Sequence, residues 1–266
     1  MRITIYILFM FVHLFAVAQD TIVAPSVGNG SDALTIQSIK LNADSAYAKG
    51  NYPLAISLYE AILAGGDEAA AIYYNLGNSY YKNNEIAKAI LNYERALLLN
   101  PGDTDTRFNL ELAQSKTIDK VSQGYEIFFV QWYKSLVNTL NMSSWAVLGI
   151  VTFILLLIAL LFLFFNSNVA VRKTAFPIAI IMLVATLFAN IAAYHHYDNL
   201  TNRVEAVIIA PSVTAKSTPD ESGTNLFVIH EGRKVKITDD SMKNWTEIEL
   251  EDGTVGWVPA LSLETI

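Results

Sequence analysis

The chain sets out its apolar and polar positions in three different ways. From Ile39 to Lys116 the apolar residues recur three or four apart, the spacing of one helical face; from Trp145 to Ala193 they run nearly unbroken; from Ala206 onward they fall in short bursts at every second position. The unbroken part is the most restrictive. Trp145 to Phe165 gives 21 residues without a charge and Ala175 to Ala193 gives 19, and about 20 apolar residues cross a bilayer's hydrocarbon core as a helix. With no water there to satisfy exposed amides, both runs must be helical, and the nine-residue connection from Asn166 to Thr174 folds them into an antiparallel hairpin. That connection carries Arg172 and Lys173 and no acid, which places it in the cytoplasm and both flanks on the other side.

The helical part repeats itself at 34 residues: Tyr47 aligns with Tyr81, Gly50 with Asn84, Ala55 with Ala89 and Tyr59 with Tyr93. Its second copy reads Tyr73-x2-Leu76-Gly77-x2-Tyr80, then Ala89-x3-Tyr93, then Pro101, and resembles the tetratricopeptide repeat (TPR). In such a repeat Gly77 and Ala89 are small where paired helices cross closely, Tyr80 and Tyr93 fill the gaps between pairs, and Pro101 closes the second helix. Asn51 and Pro53 give one helix a cap and an N-terminal proline. Helices are expected near 37–49, 53–64, 69–82 and 86–98, with a capping helix near 104–117. Two repeats and a cap fall short of the ~3 repeats such arrays need to bury their faces, so a further element, the next segment or a second copy, should cover the open end. The resemblance implies a groove that holds a partner's peptide. Asn78 sits where some TPR grooves carry an asparagine that clamps a C-terminal carboxylate, but the 34-residue shift puts Asp44 and Leu112 at the equivalent positions. An acid there repels a carboxylate, and Asn78 reads as a polar groove residue.

Ahead of the repeats, Arg2, the apolar run Ile3 to Phe15 and Ala16-Val17-Ala18 form a secretory signal, with cleavage expected before Gln19. An uncleaved anchor would leave the topology unchanged. The leader contains Gly28-Asn29-Gly30-Ser31-Asp32-Ala33, formally G-x-G-x-x-A, but without the strand that a dinucleotide fingerprint must follow. Between repeats and hairpin, Ile127 to Leu140 is too polar to cross a bilayer and too apolar to stay wet. Trp132, Tyr133 and Lys134 suit headgroup depth, so the segment reads as a helix lying on the outer leaflet, packing on the last TPR helix, or both. Ser143 or Ser144 is the expected cap of the first span. Past the second span, Tyr194-His195-His196-Tyr197-Asp198 reads as an aromatic and polar belt; no further histidine or carboxylate cluster completes a metal set around His195 and Asp198.

The alternating part gives strands at Ala206 to Ile209, Val235 to Thr238, Trp245 to Leu250 and Thr254 to Val258, with Glu251-Asp252-Gly253-Thr254 as a tight hairpin. Leu226-x4-Glu231-Gly232-x-Lys234-Val235, Asn244-Trp245-x2-Ile248-x-Leu250 and Asp252-Gly253-x2-Gly256-Trp257-Val258-Pro259 together resemble a bacterial-type SH3 domain. The resemblance implies a small all-β barrel with Val235, Ile248, Leu250 and Val258 inside. In eukaryotic SH3 domains a tryptophan at the position of Trp245 and a proline at that of Pro259 help line a polyproline groove; here Ala210-Pro211-Ser212-Val213 replaces the tyrosine-rich loop that completes it. The bacterial branch is associated with cell-wall peptides or protein partners. Trp245, Trp257 and Pro259 are the ligand-surface candidates, the two tryptophans reading equally well as partly buried barrel aromatics.

Composition narrows the chemistry. Of 266 residues 53% are hydrophobic and the net charge is -7; after the hairpin twelve acids face six bases. No basic patch points to nucleic acid. The absence of cysteine removes disulfides, thiol catalysis, thiolate metal sites and a lipoprotein anchor. There is no G-x-S-x-G, no H-E-x-x-H and no phosphate loop, and only four histidines, one of them in the signal; neither enzyme activity nor a cofactor or metal is expected. The spans hold no ionisable residue before Tyr194, which argues against transport.

The expected architecture is a multi-domain membrane protein: signal peptide 1–18, leader 19–36, an all-α TPR helical repeat domain 37–117 and an interfacial amphipathic segment 118–143. Transmembrane helix 144–166, cytoplasmic loop 167–174, transmembrane helix 175–194, linker 195–205 and the SH3-like barrel 206–266 follow. This order resembles the BatE-type proteins of the Bacteroides aerotolerance operon, which travel with von Willebrand A-domain membrane proteins. The resemblance implies an inner-membrane protein with TPR and SH3 modules in the periplasm and a part in oxygen or stress tolerance. Two functions are carried forward: a scaffold that assembles membrane or periplasmic proteins, and an envelope sensor whose SH3 domain binds peptidoglycan.

Overall fold

In the computed structural model, which describes residues 30–119 and 128–266, the 34-residue period of the sequence returns as geometry. Five helices, α1 (Gly30–Ala48), α2 (Tyr52–Ala64), α3 (Ala70–Lys82), α4 (Ile86–Leu99) and α5 (Thr104–Gln114), form two helical hairpins and a fifth helix. α1 and α3 end alike. Gly50 at φ +75° and Asn84 at φ 65° both take the left-handed conformation, which glycine adopts freely and asparagine tolerates best among the rest. Asn51 N–H then donates to Ala46 O and Glu85 N–H to Tyr80 O, each at 2.9 Å, which satisfies the last carbonyls and turns the chain back. The Asn51 side chain accepts from Leu54 N–H and caps α2, with Pro53 in its first turn; Asp103 caps α5 by accepting from Asp105 and Thr106 N–H at 3.0 Å. Within each hairpin the second helix donates a tyrosine hydroxyl to the first at equivalent positions: Tyr59 to Asp44 Oδ1 at 2.5 Å and Tyr93 to Asn78 Oδ1 at 2.8 Å. The crossing of α3 and α4 is close because Gly77 lies under the Tyr93 ring, where an added Cβ would meet Cδ1 and Cε1 at 2.7 Å.

The expected signal peptide, residues 19–29 of the leader and residues 120–127 lie outside the described residues. α6 (Phe128–Val137) precedes two long helices, α7 (Met142–Phe165) and α8 (Val169–Thr201), both long and apolar enough to cross a membrane. The cap of α7 is Asn141, whose side chain accepts from Ser144 N–H at 2.9 Å, and not either serine. The connection is shorter than its polar composition suggests. Only Asn166, Ser167 and Asn168 lie between the helices, Asn168 caps α8, and Arg172 sits on α8 with its Nε donating to Leu163 O at the end of α7. Small residues line the contact between the two helices, with Gly149, Ala159, Ala179, Ala189 and Ala192 buried, which lets the backbones approach. Thr186 adds a hydrogen bond to Thr152 at 3.1 Å across it. α8 continues past its apolar run to Thr201 because neither glycine nor proline interrupts it between Pro177 and Pro211.

Seven strands follow: β1 (Glu205–Ile208), β2 (Ser212–Lys216), β3 (Asn225–His230), β4 (Lys234–Asp239), β5 (Trp245–Glu249), β6 (Val255–Pro259) and β7 (Leu263–Thr265). They pair antiparallel in the order β3-β2-β6-β5-β4-β1-β7. The closed barrel expected from the motifs is not formed: the sheet curls over a core of Ala206, Ile208, Val213, Ala215, Ile229, Val235, Ile248 and Val258, and β3 and β7 remain edges. The helical part occupies both edges at the points where closure would need them. Glu231 N–H bonds to Pro211 O, just before β2, so the neighbouring His230 N–H faces outward, and there it donates to Asp119 Oδ2 at 2.7 Å. On the other edge Ile266 N–H bonds β1, Thr265 O faces outward, and Arg95 of α4 donates to it at 2.6 Å.

This contact also settles what covers the open end of the array. β1 is buried on both faces: Ala206 and Ile208 enter the sheet's core, while Val207 enters the helical core together with Ile266. Gly232, at φ +81°, comes so close to the helices that a Cβ there would lie 2.9 Å from Ile90 Cδ1. Around this seam Lys234 bridges Glu94 at 3.0 Å and Glu205 at 2.7 Å, and Arg95 pairs with Glu264 at 3.0 Å. The equivalent of Glu94 one repeat earlier, Glu60, accepts from Tyr80 of the next helix pair. The sheet therefore stands on α4 where a third repeat would have stood, and among the described residues it is the element that covers this side of the array.

Candidate functional site

With the sheet against α4, the opposite face of the array, formed by α1, α3 and α5, stays open. A cleft of ≈ 270 Å³ lies there. α3 supplies half of its lining from one face, Tyr74, Asn78, Tyr81 and Lys82, spaced as successive turns of a helix require. Tyr47 enters from α1, Tyr93 from below, and Asn109 and Leu112 from α5. The floor is a hydrogen-bonded cluster: Asn78 Oδ1 accepts from Tyr93 Oη at 2.8 Å and from Asn109 Nδ2 at 2.9 Å, and Asn109 also reaches Tyr74 Oη at 3.3 Å. Because the Asn78 oxygen is committed to these donors, its amide N–H groups are the part of that side chain left to face a ligand. Burial, with the neighbouring Tyr52 and Tyr74, raises the Tyr47 hydroxyl above its ordinary value, so Tyr47 presents a neutral phenol to the cleft. Its charge is positive. Lys82 lies at the rim and the Lys116 ammonium sits 4.1 Å from the centre of the Tyr81 ring. The nearby acid, Asp44, is engaged: burial would raise it, but hydrogen bonds from Lys40 and Tyr59 and the Lys40 charge bring it below its ordinary value.

Of the positions singled out by the repeat motif, Asn78 and Tyr93 line this cleft. Leu76, Gly77, Tyr80 and Ala89 are buried between helices, Tyr80 donating to Glu60, and Pro101 is buried at the turn after α4. Tyr73 lies on the other side of α3 with its ring under Arg95 at 5.8 Å. Of the cleft residues that the motif did not mark, Tyr47, Tyr74, Tyr81 and Leu112 had a signal in the sequence: Tyr74, Asn78 and Tyr81 fall on one helical face, Tyr47 repeats as Tyr81, and Leu112 is one repeat from Asn78; Lys82 and Asn109 had none.

On the sheet, Trp245 pairs across β5 and β6 with Pro259, and Glu247 with Trp257. Alternation puts these four on the outer face, partly exposed, while Thr246, Ile248, Gly256 and Val258 point inward. The three ligand-surface candidates thus share one surface; Leu261, two residues past Pro259, is 100% exposed. Val235, Ile248 and Val258 are in the sheet's core and Leu250 packs against it. His196 is buried with Nε2 at 3.1 Å from Val137 O. Among the described residues no group of three or more histidine or carboxylate side chains is placed to hold a metal ion.

The family model for the tetratricopeptide repeat matches residues 70–103, which are α3, α4 and the turn that follows. No curated protein matches the chain. The matched repeat supplies the central wall of the cleft, and repeats of this kind are protein-interaction modules.

Proposed function

We propose that the chain is a membrane-anchored scaffold, held in the bacterial inner membrane by α7 and α8, that binds a protein segment in the cleft on the periplasmic side. The observation that carries this reading is the asymmetry of the helical array: the sheet stands on its α4 side while the tyrosine and asparagine cleft, centred on the matched repeat, stays open. Hydroxyls and amides on an aromatic wall suit the backbone and side chains of an extended peptide. Anchoring restricts the cleft to one surface and raises its effective concentration for membrane partners, among them the von Willebrand A-domain proteins that the BatE-type order implies. On this reading the sheet is a bacterial SH3-like module, the chain is not an enzyme and needs no cofactor, and its role lies in an aerotolerance or stress-resistance complex.

A photo-crosslinking residue at Lys82, on the cleft rim, should give discrete protein adducts in native membranes, and one at Leu54, exposed on α2, should not. Identical adducts at both positions, or none at either, would sink the scaffold reading. The co-facial Trp245, Trp257 and Pro259 favour a second reading, a peptidoglycan-binding sensor. On that reading the detergent-solubilised chain sediments with purified murein and Trp257→Ala abolishes it; no sedimentation of the unmodified chain removes this alternative.

A further inference from the structure

Among the described residues, α6 is the least supported helix. All of its residues from Phe128 to Leu136 are exposed, and only Val137 is buried. Phe128 is 72% exposed, Phe129 74% and Trp132 60%, with Val130, Tyr133 and Leu136 also uncovered. An isolated helix of ten residues is marginal in water even without such a surface, so its apolar side chains need a cover.

Its position says which one. The Val137 carbonyl at its C-terminal end accepts from Trp145 Nε1 of α7 at 2.8 Å and lies 3.1 Å from His196 Nε2 of α8. Tyr133 meets Phe188 of α8 edge-on at 6.4 Å, and Phe188 meets Trp145 in the same way at 5.5 Å. α6 is thus fastened to both long helices at the end of the apolar hairpin, and its exposed face continues the hairpin's own exposed apolar surface. Immediately after α6, the Thr139 carbonyl packs on the turn between α4 and α5, 2.7 Å from where a Cβ on Gly102 would be.

We propose that α6 is a shelf inserted into the lipid bilayer at the boundary of headgroups and acyl chains, and that it sets the height of the helical array above the membrane. This rests on the membrane reading of α7 and α8. The occupant is lipid, since the face is continuous with the surface that acyl chains cover on the hairpin, and α6 carries a single basic residue, Lys134, and no acid. Attachment is therefore through apolar burial, little altered by the charge of the lipid.

The chain has no cysteine, so single variants Phe129→Cys, Ile158→Cys and Leu261→Cys of the full chain each take one environment-sensitive fluorophore. They are reconstituted in phosphatidylcholine vesicles containing lipids with a nitroxide near the headgroup or deep in the acyl chain. The label at 129 should be quenched several-fold more by the shallow nitroxide, that at 158 by the deep one, and that at 261 by neither. Replacing a third of the lipid with phosphatidylglycerol should leave the quenching at 129 unchanged. A label at 129 that behaves like that at 261, while 158 is quenched, overturns the shelf and leaves the membrane reading intact; no quenching at 158 overturns both. A signal at 129 that depends on the protein-to-lipid ratio would mean cover by a second copy, which also refutes the proposal.

Discussion

Gly77 is the residue on which the closest packing of the array turns. The Tyr93 ring lies over its Cα, and that ring's hydroxyl is held by Asn78, so the ring cannot swing away without losing a hydrogen bond on the cleft floor. Overpacking of a fixed contact of this kind costs about 1–3 kcal/mol. Gly77→Ala should therefore lower the melting temperature of the full chain in detergent and disturb the cleft with it, whereas an unchanged melting temperature would mean that Tyr93 is free to move. These residues were legible in advance because the repeat signature is a record of close contacts: a glycine and a tyrosine at fixed spacing can only mean a crossing that nothing larger fits. The cleft was less so. Tyr74 and Asn109 carry no motif of their own, and what makes them a site is the third dimension, in which α3 and α5 bring them within a hydrogen bond of each other.

At the scale of elements, the least foreseeable feature is the seam between sheet and helices. Four strands announce themselves by alternation or by the turn at Gly253, φ +82°. β2, β3 and β7 do not: Leu226 to Ile229 in β3 are apolar without a break, and the three-residue β7 draws its order from β1, more than 50 residues earlier in the chain. The open sheet has the same origin: its edge groups are taken by Arg95 and Asp119, which no local pattern links to strands more than 100 residues away. Asp119 also gives the seam a pH dependence. Burial would raise its carboxyl, but the hydrogen bonds from the His230 backbone and ring, with the charges of His230 and Arg233, hold it below its ordinary value. A carboxylate depressed in the folded state stabilises that state above the unfolded pKa of about 4 and loses this as pH falls through the folded value. The stability difference between the native chain and Asp119→Asn should accordingly be largest near neutrality and shrink below about pH 4. A difference that stays constant from pH 6 to pH 3 would show that the charge of Asp119 does not hold the joint.

For the molecule as a whole, the seam constrains topology more tightly than charge bias alone. Arg203, just after α8, pairs with Glu68 in the turn before α3 at 3.1 Å, and Lys234 pairs with Glu94 at 3.0 Å. These contacts put the helical array and the sheet at the same end of the hairpin, as a single body rather than two tethered modules; across a hydrocarbon core of ~30 Å they could not form. The hydropathy of the spans and the charges at Arg172 and Lys173 already implied the common side; that the two parts share a core through Val207 and Ile266 was invisible, since apolar residues on a strand do not say whose interior they enter. If α7 and α8 span the inner membrane with their turn in the cytoplasm, an impermeant maleimide applied to intact spheroplasts should label Lys49→Cys and Leu261→Cys alike, and Lys173→Cys only after permeabilisation. Labelling of positions 49 and 261 from opposite sides would break the seam and the topology together. Labelling of all three from outside would leave the seam standing and refute the spanning hairpin, because position 173 is separated from the array by the whole apolar length of α8.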